Sequence, residues 1–562
     1  MQTEVKDTGA SKRGVPVAGA VERGVAESGG VEPVKAALET PGAAGRSVST
    51  DPATGEVIAE FPLNTAEDVV QAVKDARAAQ PLWHALPLKE RIGYVMRFTE
   101  FIQENADRIA EVISKDNGKT LMDAMATEVL MAAVATDFYC RKAKSFLRDR
   151  RLPLGNIIFL NKVSHIVRVP YGVVGIISPW NYPFAIPYSE VVMGLLAGNT
   201  VILKTASETQ AVGHILKECF ESAGLPPRVF TYINMPGSKA GDAFIDAGVD
   251  KLFFTGSVPV GKYLMKKASE RLTPVVLELG GNDPMIVCED ADLYRAASGA
   301  VWAGLQNAGQ SCGGVERIYV QKTVYREFLS ILKAKVEGLR VGNGLRLTSD
   351  IGAMTTRRQM ETVQAHIADA LEKGALICAR SAAPEGSDGQ FLPCTVLADV
   401  THDMLVMKEE TFGPVLGVMP FGTIDEAIAL ANDSNLGLTA SVWSKSRLKA
   451  RKIARRIKAG AVMVNDHLMS HGLPETPWGG FKESGIGRTH GEIGFLEMTQ
   501  PQVIVNDLLP FARRNFWWQP FDKTSYDGVR GVLDFLHARG LPDRLMGLNK
   551  MCRAWLTTFM RK

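Results

Sequence analysis

Two residues of this sequence have side chains suited to covalent and acid–base chemistry. Cys312 ends the small-residue segment Gly309-Gln310-Ser311-Cys312, which follows an apolar stretch and would present one thiol. Glu278 lies between Leu277 and Leu279, in an apolar run where solubility does not explain a carboxylate. Burial raises a carboxyl pKa toward the range of a general base, and a thiolate is a strong nucleophile. The pair predicts nucleophilic catalysis, although a lone cysteine is more often a small buried apolar residue.

Length and composition limit the classes of protein to which the chain can belong. The chain has 562 residues, of which 46% are hydrophobic and 22% charged, as is typical of a globular protein with two or three domains. A net charge of only +3 argues against a nucleic-acid partner. Seven cysteines without a C-x-x-C pair argue against disulfides or a zinc site and favour a cytoplasmic location. No apolar run reaches the ~18–20 residues of a membrane-spanning helix.

The order of apolar and amphipathic segments predicts an α/β protein. Residues 1–45 contain no aromatic side chain and are rich in Gly, Ala, Val, Glu and Lys, so we expect a disordered tail. Helical patterns cover Ala66 to Ala79 and Leu88 to Ala106. After Arg168, short apolar runs alternate with amphipathic stretches as far as Ile233, and one of these stretches predicts a helix from Ser189 to Ala197. This order predicts a doubly wound parallel sheet.

A glycine turn after a predicted strand offers a place for a phosphate group. Phe254-Thr255-Gly256-Ser257 leads from an apolar strand into a helical pattern that includes Gly261. Backbone N–H groups at such a helix start favour an anion, and nucleotides bind at the ends of parallel strands. The region has no G-x-G-x-x-G, so the turn alone is a weak motif.

Six short motifs and Lys204 together point to one family. The motifs are Pro179-Trp180-Asn181-Tyr182-Pro183, Phe254-Thr255-Gly256-Ser257, Glu278-Leu279-Gly280-Gly281, Gly309-Gln310-Ser311-Cys312, Glu410-Thr411-Phe412-Gly413-Pro414 and Pro477-Trp478-Gly479-Gly480-Phe481-Lys482. With these motifs in this order, the chain resembles the aldehyde dehydrogenase superfamily from about residue 48 to residue 503.

The resemblance implies an α/β fold with a Rossmann-type cofactor-binding domain, an α/β catalytic domain and a small bridging sheet. The cofactor-binding domain would comprise residues 46–148 and 169–279, and the catalytic domain residues 280–480. Residues 149–168 and 481–505 would form the bridging segments, which build dimers in the family. A homodimer or homotetramer is therefore expected.

The resemblance also implies an oxidation of an aldehyde to a carboxylic acid. Cys312 would attack the aldehyde carbon, and the Asn181 amide with the Cys312 backbone N–H would hold the oxyanion. Loss of hydride to NAD or NADP would leave a thioester. Glu278 would then activate a water molecule that releases the acid.

Further residues match positions that bind the dinucleotide in the family. Trp180 and Lys204 would lie near the adenosine half, Gly256, Ser257 and Gly261 near the pyrophosphate, and Glu410 with Phe412 at the nicotinamide ribose. Pro179 and Leu279 belong to the same expected cofactor site.

The residue three positions after Lys204 bears on the choice of coenzyme. Family members selective for NAD commonly have a Glu there that binds the ribose hydroxyls, whereas this chain has Ser207 followed by Glu208. Ser207 leaves room for a 2′-phosphate that Lys204 could neutralise, which favours NADP or dual use. Glu208 keeps NAD possible through a shifted register.

Small and apolar residues are expected to line the substrate tunnel. The resemblance implies that Tyr182, Ile186, Ser189, Gly313 and Trp478 form its walls. Two of these are small and the others apolar or aromatic, which predicts a roomy pocket for an apolar aldehyde that has a medium or long chain or is bulky.

Two departures from the commoner family pattern leave other functions open. Glu190 stands where many members have Lys, and Asn282 replaces a frequent Lys, so the route of the proton is open. One alternative is a coenzyme A-acylating aldehyde dehydrogenase, against which Glu278 argues because such enzymes need no water activation. Another is a catalytically retired scaffold at a membrane surface.

His467 and His471 have a spacing that could bind a metal on a helix. Their segment is predicted to be a loop, however, and no metal is expected.

A C-terminal extension, residues 506–562, exceeds the usual end of the family. Residues 511–562 contain ten Lys or Arg against four Asp, with Phe516-Trp517-Trp518 and two amphipathic stretches. A basic, aromatic, amphipathic segment can lie on an anionic membrane, which suggests peripheral contact at the inner face of a membrane. Packing against the protein's own or a partner subunit is the alternative.

Overall fold

In this computed structural model, two large sheets position the predicted site. The structure describes residues 45–384, 389–513, 515 and 517–560. Nearly all of the predicted N-terminal tail therefore lies outside the described residues, as do Arg514, Phe516, Arg561 and Lys562 of the extension.

The first sheet, which we call the cofactor sheet, has six strands. Five strands are parallel and most of their residues are buried, because helices cover both faces. In spatial order the strands are Gly485–Ile486, Val275–Glu278, Lys251–Thr255, Val173–Ile177, Thr200–Lys204 and Phe230–Ile233. The short first strand pairs antiparallel with the second.

The second sheet, the catalytic sheet, has seven strands. All pairs are parallel except that of the first strand, which lies antiparallel at one edge. In spatial order the strands are Leu376–Arg380, Thr395–Ala398, Val415–Phe421, Val315–Gln321, Asp283–Val287, Thr439–Trp443 and Ala461–Val464.

Two smaller antiparallel sheets complete the strands. The bridging sheet consists of Thr499–Asp507, Lys162–Pro170 and Arg150–Arg151. Arg46–Thr50 pairs with Val57–Pro62 in a separate hairpin. The two large parallel sheets and the bridging sheet confirm the predicted fold class.

Helices surround the sheets, and two more form the extension. Those before the catalytic sheet are Ala66–Ala85, Leu88–Glu104, Ala106–Asn117, Leu121–Ala124, Leu130–Leu147, Ala185–Ala197, Gln210–Ser222, Gly237–Ala247 and Val258–Ser269, with a π-helical turn at Met125–Val129. Those that follow are Leu293–Leu305, Tyr325–Glu337, Arg357–Glu372, Leu405–Lys408, Ile424–Asn432, Arg447–Ala454, Met469–Gly472, Gly491–Leu496, Lys523–His537 and Leu541–Met560.

Tertiary contacts extend two helices beyond their predicted ends. The first helix continues past Pro81 to Ala85, because Trp83 is buried and its Nε1 donates to the Leu195 backbone oxygen at 3.0 Å. The helix predicted from Ser189 begins at Ala185 and is buried along its whole length. Every side chain of this helix, polar ones included, therefore lies inside the protein.

Candidate active site

The segment that carries Cys312, residues 306–314, connects the helix Leu293–Leu305 to the strand Val315–Gln321. We call it the nucleophile loop. Asn307, Ala308 and Gly309 all have positive φ angles, between 52° and 71°. A Cβ at Gly309 would lie 2.1 Å from the backbone oxygen of Gly413, so only glycine fits there.

Cys312 is partly exposed at the end of this loop. Burial raises the pKa of its thiol, and the nearby carboxyl groups of Glu410, Asp283 and Glu278 raise it further. The Cys312 backbone N–H acts in the opposite direction and lowers the thiol pKa. The protein alone therefore holds the resting residue as a thiol, and a reaction must supply a proton acceptor.

Asn181 lies against the nucleophile loop. Its side chain is buried, and Nδ2 donates to the backbone oxygen of Gln310 at 3.1 Å. In return, Asn307 Nδ2 donates to the Asn181 backbone oxygen at 2.8 Å. The Asn181 amide, which the resemblance assigns to the oxyanion, is thus bound to Gln310, two residues before Cys312 in the sequence.

A buried ion pair supports Asn181, and sequence reasoning missed it. Lys119 Nζ donates to Glu128 Oε1 at 2.6 Å and to the Asn181 backbone oxygen at 2.8 Å. The other Glu128 oxygen accepts from the backbone N–H groups of Phe184 and Ala185, at 2.7 and 3.1 Å. Glu128, like Glu278, is a carboxylate within an apolar run. The same sequence pattern could therefore have identified Glu128.

Glu278 ends a central strand of the cofactor sheet and is buried. Among the described residues, neither of its carboxylate oxygens has a hydrogen-bond partner. Burial raises its pKa well above the usual value, and Glu190 adds to the rise while Arg488 opposes it. A buried carboxyl without partners is suited to act as a general base once it is ionised.

Glu190 is a second buried carboxyl group on the Glu278 side of the site. It belongs to the buried helix Ala185–Ala197, and within the described structure its Oε2 has no hydrogen-bond partner. Burial raises its pKa to about 8. The position at which the family often has a Lys therefore holds a carboxyl group that is largely protonated at neutral pH.

A cavity of about 440 Å³ opens at Cys312. Of the expected tunnel residues, Tyr182 and Trp478 line it, whereas Ile186, Ser189 and Gly313 do not. Ile186 and Ser189 lie on the fully buried helix, and a Cβ at Gly313 would lie 2.7 Å from the Trp478 ring, which covers it. The full lining is Met122, Asp123, Ala126, Thr127, Leu130, Met131, Tyr182, Trp302, Gln306, Ser311, Cys312, Leu468, Met469, His471, Gly472 and Trp478.

The surface of the cavity is mostly apolar, and none of its lining side chains is a Lys or Arg. Gln306 Nε2 donates to the Tyr182 hydroxyl. Burial lowers the pKa of His471 to about 4, so its ring is neutral at physiological pH. Burial also raises the pKa of Asp123. The cavity therefore offers no cation to a charged substrate.

On the cofactor side, Lys204 ends the strand Thr200–Lys204 and is buried. Burial lowers its pKa to about 8, against an opposing effect of Glu208. Ser207 begins the short turn that follows and is half-buried. Among the described residues, Lys204 has no salt bridge, so its ammonium is available to an anionic ligand.

The glycine turn leads into the helix Val258–Ser269, as the sequence predicted. Ser257 is the residue before the helix and leaves the first backbone N–H groups unpaired by its side chain. A Cβ at Gly261 would lie 2.6 Å from the Leu279 side chain, so the glycine allows close packing of helix and strand.

Glu410 and Phe412 border the nucleophile side of the cofactor region. Glu410 Oε1 accepts from the Gly281 backbone N–H at 2.9 Å, and burial raises the Glu410 pKa well above its usual value. Phe412 has a φ of 51°, and its N–H donates to Glu316 at 2.8 Å. Trp180, which follows Pro179 after the strand Val173–Ile177, packs edge-on against Phe412 with ring centroids 5.4 Å apart.

These groups fit a dinucleotide. A buried ammonium without a salt bridge among the described residues and free helix N–H groups at a glycine turn both follow strands of the cofactor sheet. The buried Glu410 carboxyl accepts from Gly281, which follows a third strand of that sheet. This is the edge of a doubly wound sheet at which such ligands bind.

The two histidines spaced for a metal do not converge. His467 Nδ1 lies 2.8 Å from Ser441 Oγ, and Nε2 lies 3.1 Å from the Gly313 backbone oxygen. His471 packs edge-on against Trp478, with centroids 4.8 Å apart. Their segment contains the one-turn helix Met469–Gly472 where the sequence suggested a loop. Within the described ranges, no group of three metal-ligating side chains occurs.

Comparison with known proteins identifies the family. The model of the "Aldehyde dehydrogenase family" matches residues 40–504. The chain belongs to this family. It is an NAD(P)-dependent aldehyde dehydrogenase, as the motifs around Cys312 and Glu278 predicted, and the extension begins just after the match.

Individual relatives and solved structures agree with the family match. The 4,4'-diapolycopene aldehyde oxidase of Methylomonas sp is 37% identical over 489 residues, which are 87% of this chain and 91% of the relative. A putative succinate-semialdehyde dehydrogenase [NADP(+)] of Mycolicibacterium smegmatis is 37% identical over 80% of this chain and 87% of its own. The crystal structure of an NAD-dependent aldehyde dehydrogenase from Sinorhizobium meliloti matches with a TM-score of 0.79 and 34% identity, over 86% of this chain and 95% of that one.

Proposed function

We propose that this enzyme oxidises apolar aldehydes of medium or long chain to carboxylic acids, by way of a thioester on Cys312. The observation that carries the proposal is the cavity at Cys312, whose lining is mostly apolar and contains no Lys or Arg. Pockets of this kind select ligands by shape and apolar contact.

The lack of a cation argues against a substrate with a second carboxylate. Succinic semialdehyde, for which some relatives are named, would place its carboxylate in this cavity beside the neutral ring of His471 and near Asp123. Burying an unpaired charge costs several kcal/mol, so such a substrate would bind poorly. Another relative is named for an aldehyde of 4,4'-diapolycopene, which agrees better with an apolar cavity.

The rim of the cavity also favours long apolar chains. Met122, Leu130, Trp302 and Met469 line the cavity and are each between 39% and 69% exposed. Exposed apolar side chains at a pocket mouth can cover the part of a substrate that extends beyond the pocket. A long aldehyde would therefore gain contacts that acetaldehyde cannot make.

The first half of the reaction uses Cys312 and Asn181. The partly exposed thiol gives up its proton to solvent water, and sulfur bonds to the aldehyde carbon. The Asn181 amide and the Cys312 backbone N–H stabilise the resulting oxyanion. NAD(P) supplies the acceptor for the hydride that leaves this carbon. The product on the protein is an acyl thioester of Cys312.

The second half uses Glu278. Its ionised carboxylate takes a proton from water, whose oxygen bonds to the thioester carbon while the carbon–sulfur bond breaks. The acid leaves and Cys312 is regenerated. Because Glu278 supports this hydrolysis, the proposal excludes transfer to coenzyme A as the main outcome.

The coenzyme preference belongs to the same proposal. Lys204 is buried, has no salt bridge among the described residues, and is followed by the half-buried Ser207. A Ser at this position leaves space for a 2′-phosphate, and the ammonium can pair with it. We therefore assign NADP or dual use, with Glu208 as the residue that would favour NAD.

Two further parts of the proposal concern assembly and location. The apolar side chains Val503, Ile504 and Val505 of the bridging sheet are 42–58% exposed, which supports a homodimer or homotetramer. Residues 511–562 support peripheral contact at the inner face of a membrane. No helix within the described residues is long and apolar enough to span a bilayer.

The proposal is tested by steady-state oxidation of acetaldehyde, decanal and succinic semialdehyde with each coenzyme. We expect kcat/KM to be highest for decanal, because only decanal fills the apolar cavity, and acid to form without coenzyme A. A Trp302→Ala variant should lose activity on decanal more than on acetaldehyde. A preference for succinic semialdehyde, or an absolute need for coenzyme A, would overturn the proposal.

A further inference from the structure

We propose that the C-terminal extension is a docking surface for an anionic lipid bilayer, with a groove that accepts one acyl chain. The surface comprises the helices Lys523–His537 and Leu541–Met560, which we call the C-terminal hairpin, and the described residues of the segment 508–522. This inference rests on the peripheral membrane contact proposed above and does not depend on which aldehyde the enzyme oxidises.

The C-terminal hairpin is a closely packed unit. Its helices approach closely where Gly531 faces Gly547, since a Cβ at Gly531 would lie 2.6 Å from the Gly547 backbone oxygen. Asp522 caps the first helix by accepting from the Ser525 N–H at 2.8 Å. Trp517 connects the hairpin to the rest of the enzyme through its ring, 6.0 Å from that of Phe159. The hairpin therefore contacts the body of the protein, and it shares the lining of a groove with Ile158, Leu160 and Asn161.

Large apolar side chains are exposed on the C-terminal hairpin and on the segment 508–522 before it. On the first helix, Tyr526, Val529 and Leu533 recur at helical spacing and form one stripe. On the second helix, Leu541 and Leu545 begin a stripe that continues through Leu548, Cys552 and Trp555. Other exposed apolar residues of the extension are Phe511, Trp517, Trp518, Phe521, Met546 and Leu556. Trp and Tyr in such positions are typical of the interfacial layer of a membrane.

Positive charge is concentrated in the same segment. Residues 511–562 contain ten of the 64 Lys and Arg and four of the 61 Asp and Glu, a net charge of +6. The other residues therefore contain 54 basic and 57 acidic side chains, a net charge of −3. The protein thus has opposite charge on its body and on its extension, which orients the extension toward an anionic surface.

The acidic residues of the hairpin are partly neutralised, so basic groups dominate its surface. Asp534 pairs with Arg530 at 3.0 Å and with Lys550 at 3.8 Å. Arg539 and Arg553 are exposed and have no salt bridge within the described ranges. These two arginines are free to contact lipid phosphates.

A groove of about 480 Å³ runs between the two helices and the turn at residues 158–161. Val532, Phe535, Leu548, Met551 and Trp555 form much of its wall, and Asn161 is its one residue with a polar side chain apart from Cys552 and the Trp indoles. An apolar groove next to exposed arginines matches the two parts of an anionic phospholipid, the acyl chain and the phosphate.

A partner subunit is the competing occupant of this surface. Protein interfaces are enriched in aromatic residues too, but their centres are depleted of charged side chains. Here, Arg539 and Arg553, which have no salt bridge in the described part of the chain, lie among the exposed apolar residues. The net charge of the segment would oppose contact between two copies of it. The charge of the extension therefore favours the bilayer.

The test is flotation of the full-length enzyme with phosphatidylcholine vesicles that contain or lack phosphatidylglycerol, at low and high salt. We expect flotation only with phosphatidylglycerol and low salt. At about 1 kcal/mol per basic residue, Arg539→Glu with Arg553→Glu should weaken the partition on the order of twentyfold or more. Leu541→Ser with Leu545→Ser, at exposed positions, should also abolish flotation while leaving the oxidation of acetaldehyde unchanged.

Matched control variants lie on the body of the enzyme. Arg326 and Arg447 are exposed arginines without salt bridges among the described residues, and Leu347 and Leu448 are leucines exposed by 81% and 74%. The same substitutions at these pairs should leave flotation unchanged. Equal flotation with neutral vesicles, flotation lost equally in the control variants, or absence of flotation would overturn the proposal. So would a native oligomer that dissociates when the hairpin residues are changed in the absence of vesicles.

Discussion

Lys119 donates a 2.8 Å hydrogen bond to the backbone oxygen of Asn181, whose side-chain amide in turn reaches the nucleophile loop. The ammonium is fully buried and pairs with Glu128. The Glu128 carboxylate in turn accepts from the first backbone N–H groups of the helix Ala185–Ala197. Through this chain of contacts, one buried ion pair positions the group assigned to the oxyanion. Its contribution to catalysis is therefore indirect and separable from that of Cys312.

Replacing Lys119 by Met should destabilise the protein and slow the reaction. The substitution leaves the carboxylate of Glu128 buried without its cation, which costs about 3–5 kcal/mol. We expect this loss in urea unfolding, together with a lower kcat because Asn181 is less well held. Lys115→Met, at an exposed i,i+4 pair with Glu111, is the control and should change stability by about 0.5 kcal/mol or less. Equal effects of the two substitutions would contradict this role.

Replacing Glu278 by Gln should separate the two halves of the reaction. Because Glu278 serves hydrolysis of the thioester, the variant should give a burst of reduced coenzyme close to one per site, followed by turnover slower by about 10²–10⁴-fold. Stopped-flow absorbance measures both phases. Because burial raises the pKa of Glu278 well above its usual value, native turnover should rise with pH, and the variant should lose this rise. Loss of the burst itself would instead place Glu278 before thioester formation.

Replacing Glu190 by Gln should change how stability depends on pH. Burial raises the pKa of Glu190 from 4.5 to about 8, so the folded protein holds a proton that the unfolded chain releases between these values. The native protein therefore loses stability as pH rises from 4.5 to 8, and the variant lacks this loss. Between pH 4.5 and 7, the stability difference should move in favour of the variant by on the order of 3 kcal/mol. Urea unfolding at several pH values measures it, and parallel curves for the two proteins would refute the assignment.

Replacing Ser207 by Glu should shift the coenzyme preference toward NAD. A carboxylate three residues after Lys204 can accept from ribose hydroxyls and repels a 2′-phosphate. We expect the ratio of kcat/KM for NADP to that for NAD to fall by at least about tenfold, which corresponds to ~1.4 kcal/mol. Glu218→Gln, at an exposed position on the next helix, is the control and should leave the ratio unchanged. An unchanged ratio in the Ser207 variant would place the phosphate elsewhere.

Much of the fold could be predicted because its signals are local. The alternation after Arg168 reflects strands buried on both faces, and the strand end at Lys204 follows from that pattern. The glycine turn at Gly256 precedes a helix, as predicted. Each of these features depends on residues that are neighbours in sequence, and family motifs reinforce them.

The remaining features depend on contacts between distant segments. The cavity walls combine Met122, Trp302 and Met469, which no local pattern connects. Ser189 was expected in the tunnel, but the helix that carries it is buried on all sides, a property that periodicity alone does not reveal. Lys119 pairs with Glu128, which lies within a π-helical turn that the sequence did not suggest.

The central claim is that Cys312 carries the acyl group during aldehyde oxidation. The most direct test follows reduced coenzyme and carboxylic acid together, with decanal as substrate, for the native enzyme and for Cys312→Ala. The control is Cys288→Ala, which removes a fully buried thiol outside the cavity lining. We expect equal amounts of the two products from the native enzyme and the control, and neither from Cys312→Ala. Formation of both products by folded Cys312→Ala would contradict the account.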